Sequence, residues 1–284
     1  MNSTLPHLQH SSTTSYLAGI SPGSSKSLMS GICRASVRQI PRGFTLVEIA
    51  IAVFIIALLL GSILVPLTTQ VEQRQVSETQ KMLEDIKEAL IGHAVAKGYL
   101  PCTDKTSGAT TGPNDTPNDG VEDINTVTGV CISSAAGNVP WQTLGLGAAD
   151  PWGNRFRYRV DTNYSRRSPA TPFNVISAAG LVVCSTWAGC PGTSSVRLTP
   201  ISPDGAVAVI ISHGRNGLGA ISAQTSALNP TPSTFDETGN YSGGPFVSRT
   251  HSPVGSTAGE FDDIVTWLGK YTLFNRMVAA GKLP

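Results

Sequence analysis

Twenty-four consecutive residues, Phe44–Leu67 (FTLVEIAIAVFIIALLLGSILVPL), carry a single charge, Glu48. As a helix rising about 1.5 Å per residue, the run spans roughly 36 Å, enough for a bilayer core of about 30 Å. It reads as a membrane helix, against the plainer alternatives of a simple signal anchor or a buried core helix. A cleaved secretory signal fits poorly, because the run is too long and no small-x-small site follows Leu67. A carboxylate inside such a run costs roughly 2.5–3.5 kcal/mol at mid-membrane, so it needs a partner or a task. Spacing supplies one. If the chain is cut between Gly43 and Phe44, the new amine lies four residues from Glu48, on the same helix face. Glu48 can then approach that amine in its own chain or in a neighbouring copy, which would set two helices at a fixed axial offset.

The segment before the run, Met1–Gly43, has no Asp or Glu and carries Lys26, Arg34, Arg38 and Arg42 among many serines. It cannot bury a core. Organellar transit peptides share this composition, as do basic leaders held in the cytoplasm ahead of a membrane helix. Arg42-Gly43 runs directly into the apolar stretch, which favours the leader. Met29 offers a second start, with Met1 the first. Over the whole chain the net charge is +1 and the charged fraction 14%, which excludes a disordered acidic chain and a nucleic-acid binder. With 40% apolar residues in 284, a folded core in one or two domains is expected.

Arg42-Gly43-Phe44-Thr45-Leu46-Val47-Glu48, followed by the apolar run, resembles the class III signal of type IV prepilins and type II secretion pseudopilins. The resemblance implies that an inner-membrane prepilin peptidase cuts after Gly43 and methylates Phe44 to N-methylphenylalanine. Glu48 would be the glutamate of that motif. Pro66 matches the proline that kinks or melts a turn in pilin helices, a bend that Gly61 and Ser62 would ease.

Beyond the run, Thr68–Lys97 has no proline and one glycine, Gly92. Val71, Val76, Leu83, Ile86, Leu90 and Ala94 recur at helical spacing, and Gly98 with Pro101 marks the stop. One helix from Phe44 to about Lys97 is expected, half in lipid and half on a globular head. The domains are therefore a leader at 1–43, a membrane and assembly helix at 44–67, and a periplasmic head at 68–284 with helix 68–97 packed on its sheet. His93 reads as a core or boundary residue.

Five cysteines are present. Cys33 lies in the leader. Cys102, Cys131, Cys184 and Cys190 allow three pairings in an oxidising compartment. Sequence neighbours are the expected pairs, Cys102–Cys131 and Cys184–Cys190. Their spacing does not match a C-x-x-C zinc site, and the histidines are dispersed.

Arg155–Val160 (RFRYRV) alternates and reads as a half-buried strand with its three arginines on a solvated face, following a turn at Asp150–Asn154. Val207–Ser212 reads as a buried strand and Phe261–Trp267 as a third. Tyr271–Ala280 reads as a short helix with Leu273, Phe274, Met277 and Val278 inward. His213-Gly214-Arg215-Asn216 and Asp262-Asp263 invite a catalytic reading, but no hydrolase, zincin or P-loop motif accompanies them. The oxygen-rich run Asn114–Asp123 makes Asp115, Asp119 and Asp123 weak calcium candidates without the EF-hand spacing. A polar surface loop is the plainer reading, and no cofactor is expected.

YLPC (Tyr99–Cys102), VPWQTLGL (Val139–Leu146), DPWGNRFRYRV, AVIISHGRNG and the ending from Phe261 are similar to a group of larger pseudopilin-like proteins of Gram-negative bacteria. The expectation is an α+β fold: a long N-terminal transmembrane helix continuing into a head with a small antiparallel sheet and disulfide-held loops. The resemblance implies a structural, non-enzymatic subunit in the inner membrane, N-terminus cytoplasmic before cleavage and C-terminal domain periplasmic. Its partners would be the prepilin peptidase, other pilins or pseudopilins and the inner-membrane assembly platform. After cleavage at Gly43, 241 residues with 16 basic and 19 acidic side chains would remain, a formal −3. The long loops Thr103–Pro140, Asp161–Pro203 and Leu218–Glu260 lean toward a minor or accessory pseudopilus subunit. A type IV pilus minor pilin or adhesin, and a tethered periplasmic binding module that never polymerises, are the alternatives.

Overall fold

The structure, a computed structural model, describes residues 43–110 and 115–283, without side chains at 62–68. The leader with Met29 and Cys33, residue Asn114 and the side chain of Pro66 with its expected bend lie outside the described residues. The chain divides into two compact units, Met1–Ile56 and Ala57–Pro284.

Helix α1, Leu46–Lys97, contributes to both. It begins at a T-x-x-E sequence: the Thr45 hydroxyl accepts the Glu48 amide at 3.2 Å, capping a backbone donor that the first turn leaves free. From Leu46 to Leu60 the large apolar side chains of α1 are exposed. Among the described residues no helix is long and apolar enough to cross a membrane.

In the second unit the remaining elements follow in chain order. They are β1 (Gly137–Asn138), α2 (Trp141–Leu144), β2 (Arg157–Val160), β3 (Val183–Cys184), a 3-10 turn (Ser194–Val196) and β4 (Ala206–Ser212). α3 (Phe235–Ser242), β5 (Phe246–Val247), β6 (Ile264–Gly269) and α4 (Lys270–Ala279) complete the chain. An antiparallel sheet runs β1-β2-β4-β6, and β3 pairs with β5 in a small parallel sheet. The α+β class and antiparallel sheet match the expectation.

β4 is buried at every residue because both its faces are covered. On one face Tyr158, Ala208, Ile210 and Leu268 meet Leu83, Ile86, Leu90, Ile91 and Ala94 of α1, together with Leu273, Phe274 and Met277 of α4. On the other, Val209 and Ile211 meet Val183 and Phe246, with Val265 and Trp267 alongside. Fully burying one such side chain contributes about 1.5–3 kcal/mol.

Several sequence expectations need correction. The buried stripe of α1 starts at Thr79, so Val71 is exposed. Val278 is also exposed, being on the outer side of α4. The third strand starts at Ile264, because Phe261 bridges Ser252 instead. β2 starts at Arg157, two residues after the expected boundary.

The arginine face is not a solvated one. Arg157 lies opposite Ile211 and Arg159 opposite Val209, so both project to the side roofed by β3, α3 and β5. Arg155 stacks over Trp141 at 3.8 Å and Arg157 over Tyr241 at 5.2 Å. Burial lowers the Arg157 pKa to about 10. The long loops thus build a second layer.

Both cysteine pairs are bonded, Cys102–Cys131 and Cys184–Cys190. His93 is half-buried, its Nδ1 3.0 Å from the Tyr99 carbonyl.

Candidate functional site

Two regions carry the residues singled out by the sequence. The first is the start of α1. Gly43 and Phe44 precede the helix in an exposed stretch, and an added Cβ at Gly43 meets nothing within 4 Å. Glu48 is in the first helical turn, also exposed. The Gly43–Phe44 bond is exposed, and Glu48 follows it by about one helical turn.

The second region is the carboxyl-rich end of the sheet. Asp150 orders the turn ahead of β2: its Oδ1 accepts the amides of Trp152 (3.0 Å) and Asn154 (2.9 Å), and its Oδ2 accepts the Ser212 hydroxyl at 2.7 Å. His213 follows, fully buried, with Nδ1 3.2 Å from Asp263 Oδ1. This pair has the form of an acid–base couple, with the imidazole fully enclosed and Asp263 on the lining of a cleft of about 610 Å³. Asp263 Oδ2 accepts from the Asn240 side chain at 2.8 Å.

Glu237, Asp262 and Asp263 each offer a carboxylate oxygen within 4.8 Å of the others, a donor set that could hold a hard cation. Asn216 knits the group. Its amide donates to Asp262 Oδ2 at 2.7 Å, and its side chain to Glu237 Oε1 at 3.3 Å. Burial, then the charge of Asp263, pushes Glu237 up to about 7, and burial pushes Asp262 up to about 6. Sequence reading flagged Asp262-Asp263 but missed Glu237, which is brought in from α3 and has no signal of spacing.

The weak calcium candidates lie elsewhere and are differently employed. The Asp115 carboxylate is paired with the Lys105 ammonium. Asp119 Oδ1 accepts the Val121 amide at 2.8 Å, and Asp123 Oδ2 the Lys105 amide at 2.6 Å. Asp104, absent from the sequence reading, accepts the amides of Asn118 (2.8 Å) and Gly120 (3.1 Å). Gly120 has φ +81°, and a Cβ there would lie 2.2 Å from the Trp141 ring, so only glycine fits. These acids fasten loops.

A pH prediction follows from the raised carboxyls. Between about pH 4.5 and pH 7 the folded chain keeps a proton on Glu237 that the unfolded chain has released, so this group's contribution to stability falls as pH rises through that window. Glu237→Gln keeps Oε1 as the acceptor and lets the amide face the Thr234 hydroxyl. At pH 7.5 the variant is expected to melt roughly 2–4 °C higher than the parent, with the difference vanishing below pH 4.5. Melting curves across that range check it, and an unchanged or lower melting point at pH 7.5 would refute it.

A model of the prokaryotic N-terminal methylation motif matches residues 40–64. This is a type IV prepilin-like signal, and it contains Gly43, Phe44 and Glu48. The motif marks pilin-like structural proteins. No curated protein and no solved structure matches the chain.

Proposed function

We propose that the chain is a structural pseudopilin-like subunit, minor or accessory, of a type II secretion pseudopilus. The methylation motif at residues 40–64 is the observation that carries this reading. Prepilin peptidase cuts between Gly43 and Phe44 and methylates the new amine. Phe44–Leu67 holds the chain in the inner membrane with the head in the periplasm, then joins the helices of other pilin-like subunits. Glu48 meets the amine of Phe44 and sets the axial register. The two disulfides fit an oxidising compartment. The accessory role is supported by the loop-built layer of β3, α3 and β5, which adds bulk to the head.

The test is the N-terminal mass of the protein from membranes of cells with and without a prepilin peptidase. A chain starting at N-methyl-Phe44, seen only with the peptidase, supports the reading. A chain that keeps residues before Gly43 in both strains sinks it.

A further inference from the structure

Arg157 and Arg159 alternate along β2 and share the face roofed by β3, α3 and β5, with Arg155 two residues ahead of them. Residues two apart on an antiparallel strand lie about 6.8 Å from each other. The Nε of each arginine is buried and has no hydrogen-bond partner. None of the three forms an ion pair among the described residues. Lys105, Arg249 and Lys270 are also largely covered, and each of them meets a carboxylate.

The carboxylates whose charges bear on the row are Asp104 on Arg155, Asp263 on Arg157 and Asp161 on Arg159. All are committed to other donors. Asp104 accepts the Asn118 and Gly120 amides, Asp263 holds His213 and Asn240, and Asp161 accepts the amides of Asn163 (2.9 Å) and Gly180 (2.7 Å). Residues 1–42, 62–68 and 111–114 contain no Asp or Glu, so no carboxylate side chain there can answer the arginines. Covered guanidiniums without acceptors cost stability. Burial first, and the neighbouring charge of Arg159 in addition, lower the Arg157 pKa. The rings of Trp141 and Tyr241 hold Arg155 and Arg157 by their flat faces but offer their N–H groups no acceptor oxygen.

We propose that Arg157 and Arg159, with Arg155 at the end of the row, form a site for a phosphate-type oxyanion, either the free ion or a monoester. The guanidinium fork matches such a group bidentately. A phosphate monoester brings a charge of about −1.5 to −2 and three strong acceptor oxygens, enough to join two forks, whereas a lone carboxylate brings two oxygens and is filled by one. Arg157 and Arg159 keep partial exposure beneath the roof, which suits a small group over a broad polyanionic surface. The site is in the second unit and stands whether or not the chain is cut after Gly43.

The test titrates the full chain in detergent with inorganic phosphate, by calorimetry in a chloride buffer of matched ionic strength. Saturable binding with a Kd of about 1 mM or tighter is expected. Arg159→Gln should weaken it at least about tenfold, and Arg157→Lys, which keeps the charge without the fork, should weaken it as well. In phosphate-free buffer Arg159→Gln should melt no lower than the parent, which shows that the variant folds and that the arginine is not held for stability. Arg166→Gln, on the exposed surface, should bind as the parent does. Glycerol 3-phosphate separates the two sources: binding tighter than inorganic phosphate assigns the site to an ester, and equal or weaker binding to the free ion. No saturable binding up to about 10 mM phosphate, binding unchanged by Arg159→Gln, a lower melting temperature in that variant without phosphate, or an equal loss with Arg166→Gln would overturn the proposal.

Discussion

Cells carrying Glu48→Ala are expected to cut and methylate the chain at Phe44 but to hold at least about a hundredfold less of it in sheared or pelleted filaments. The magnitude corresponds to the roughly 2.5–3.5 kcal/mol at stake for a carboxylate in an apolar environment. The alanine does not disturb the helix start. The capping bond runs from the residue 48 backbone amide to the Thr45 hydroxyl and survives any side chain. No space is opened inside a core either, since Glu48 is exposed in the chain by itself. Loss of assembly would therefore report on contacts between subunits. Glu48→Asp, one methylene shorter, should recover part of the assembly, and Glu48→Gln, which keeps shape without charge, should not. Filaments at parental levels in Glu48→Ala would show that the carboxylate is not a register device. A gain in membrane retention without assembly would point to a tether that never polymerises.

The second large effect is on the head. Cys102→Ala with Cys131→Ala is expected to destabilise it by about 3–4 kcal/mol, the chain-entropy value for a loop closed by a bond across 29 residues. The melting temperature should fall by roughly 10 °C. The double variant avoids leaving a free thiol. Cys102 is fully buried beside Tyr99 and Ile124, and its amide donates to Glu122 Oε2 at 3.2 Å, so the bond also anchors the end of α1 to the acid-rich loop. Removing Cys184–Cys190, across 6 residues, should cost less, about 2–2.5 kcal/mol by the same relation. Paired melts in detergent, with reductant absent, decide the ranking. Equal losses, or a larger loss at the short loop, would contradict it.

What could be read from the amino acids divides along physical lines. The N-terminal motif was legible because its information is local: a basic residue, Gly43, Phe44 and Glu48 at fixed spacing before an apolar run. The central strand was legible because Ala206–Ser212 is uniformly apolar with β-branched residues. The arginine strand misled because alternation reports only that two faces differ, and gives no sign of what covers the second one. β5 and α3 had no periodic pattern to find. A 2-residue strand is held there by side chains, with Asn240 Oδ1 accepting the Val247 amide at 2.7 Å and its Nδ2 donating to the Val247 carbonyl at 2.9 Å. The grouping of Glu237 with Asp262 and Asp263 was hidden for the same reason: its members come from separate stretches of chain, and only folding makes them neighbours.

The complete burial of β4 also sets an order in time. Its neighbour on one side, β2, is made before it, but its neighbour on the other side, β6, is more than fifty residues downstream, as is α4, which shares its inner face. A head emerging residue by residue during synthesis must therefore hold its most apolar strand half-paired until the segment beyond Glu260 arrives. The Cys102–Cys131 loop, complete well before that moment, can be closed while the central strand still waits, so oxidation can precede closure of the sheet.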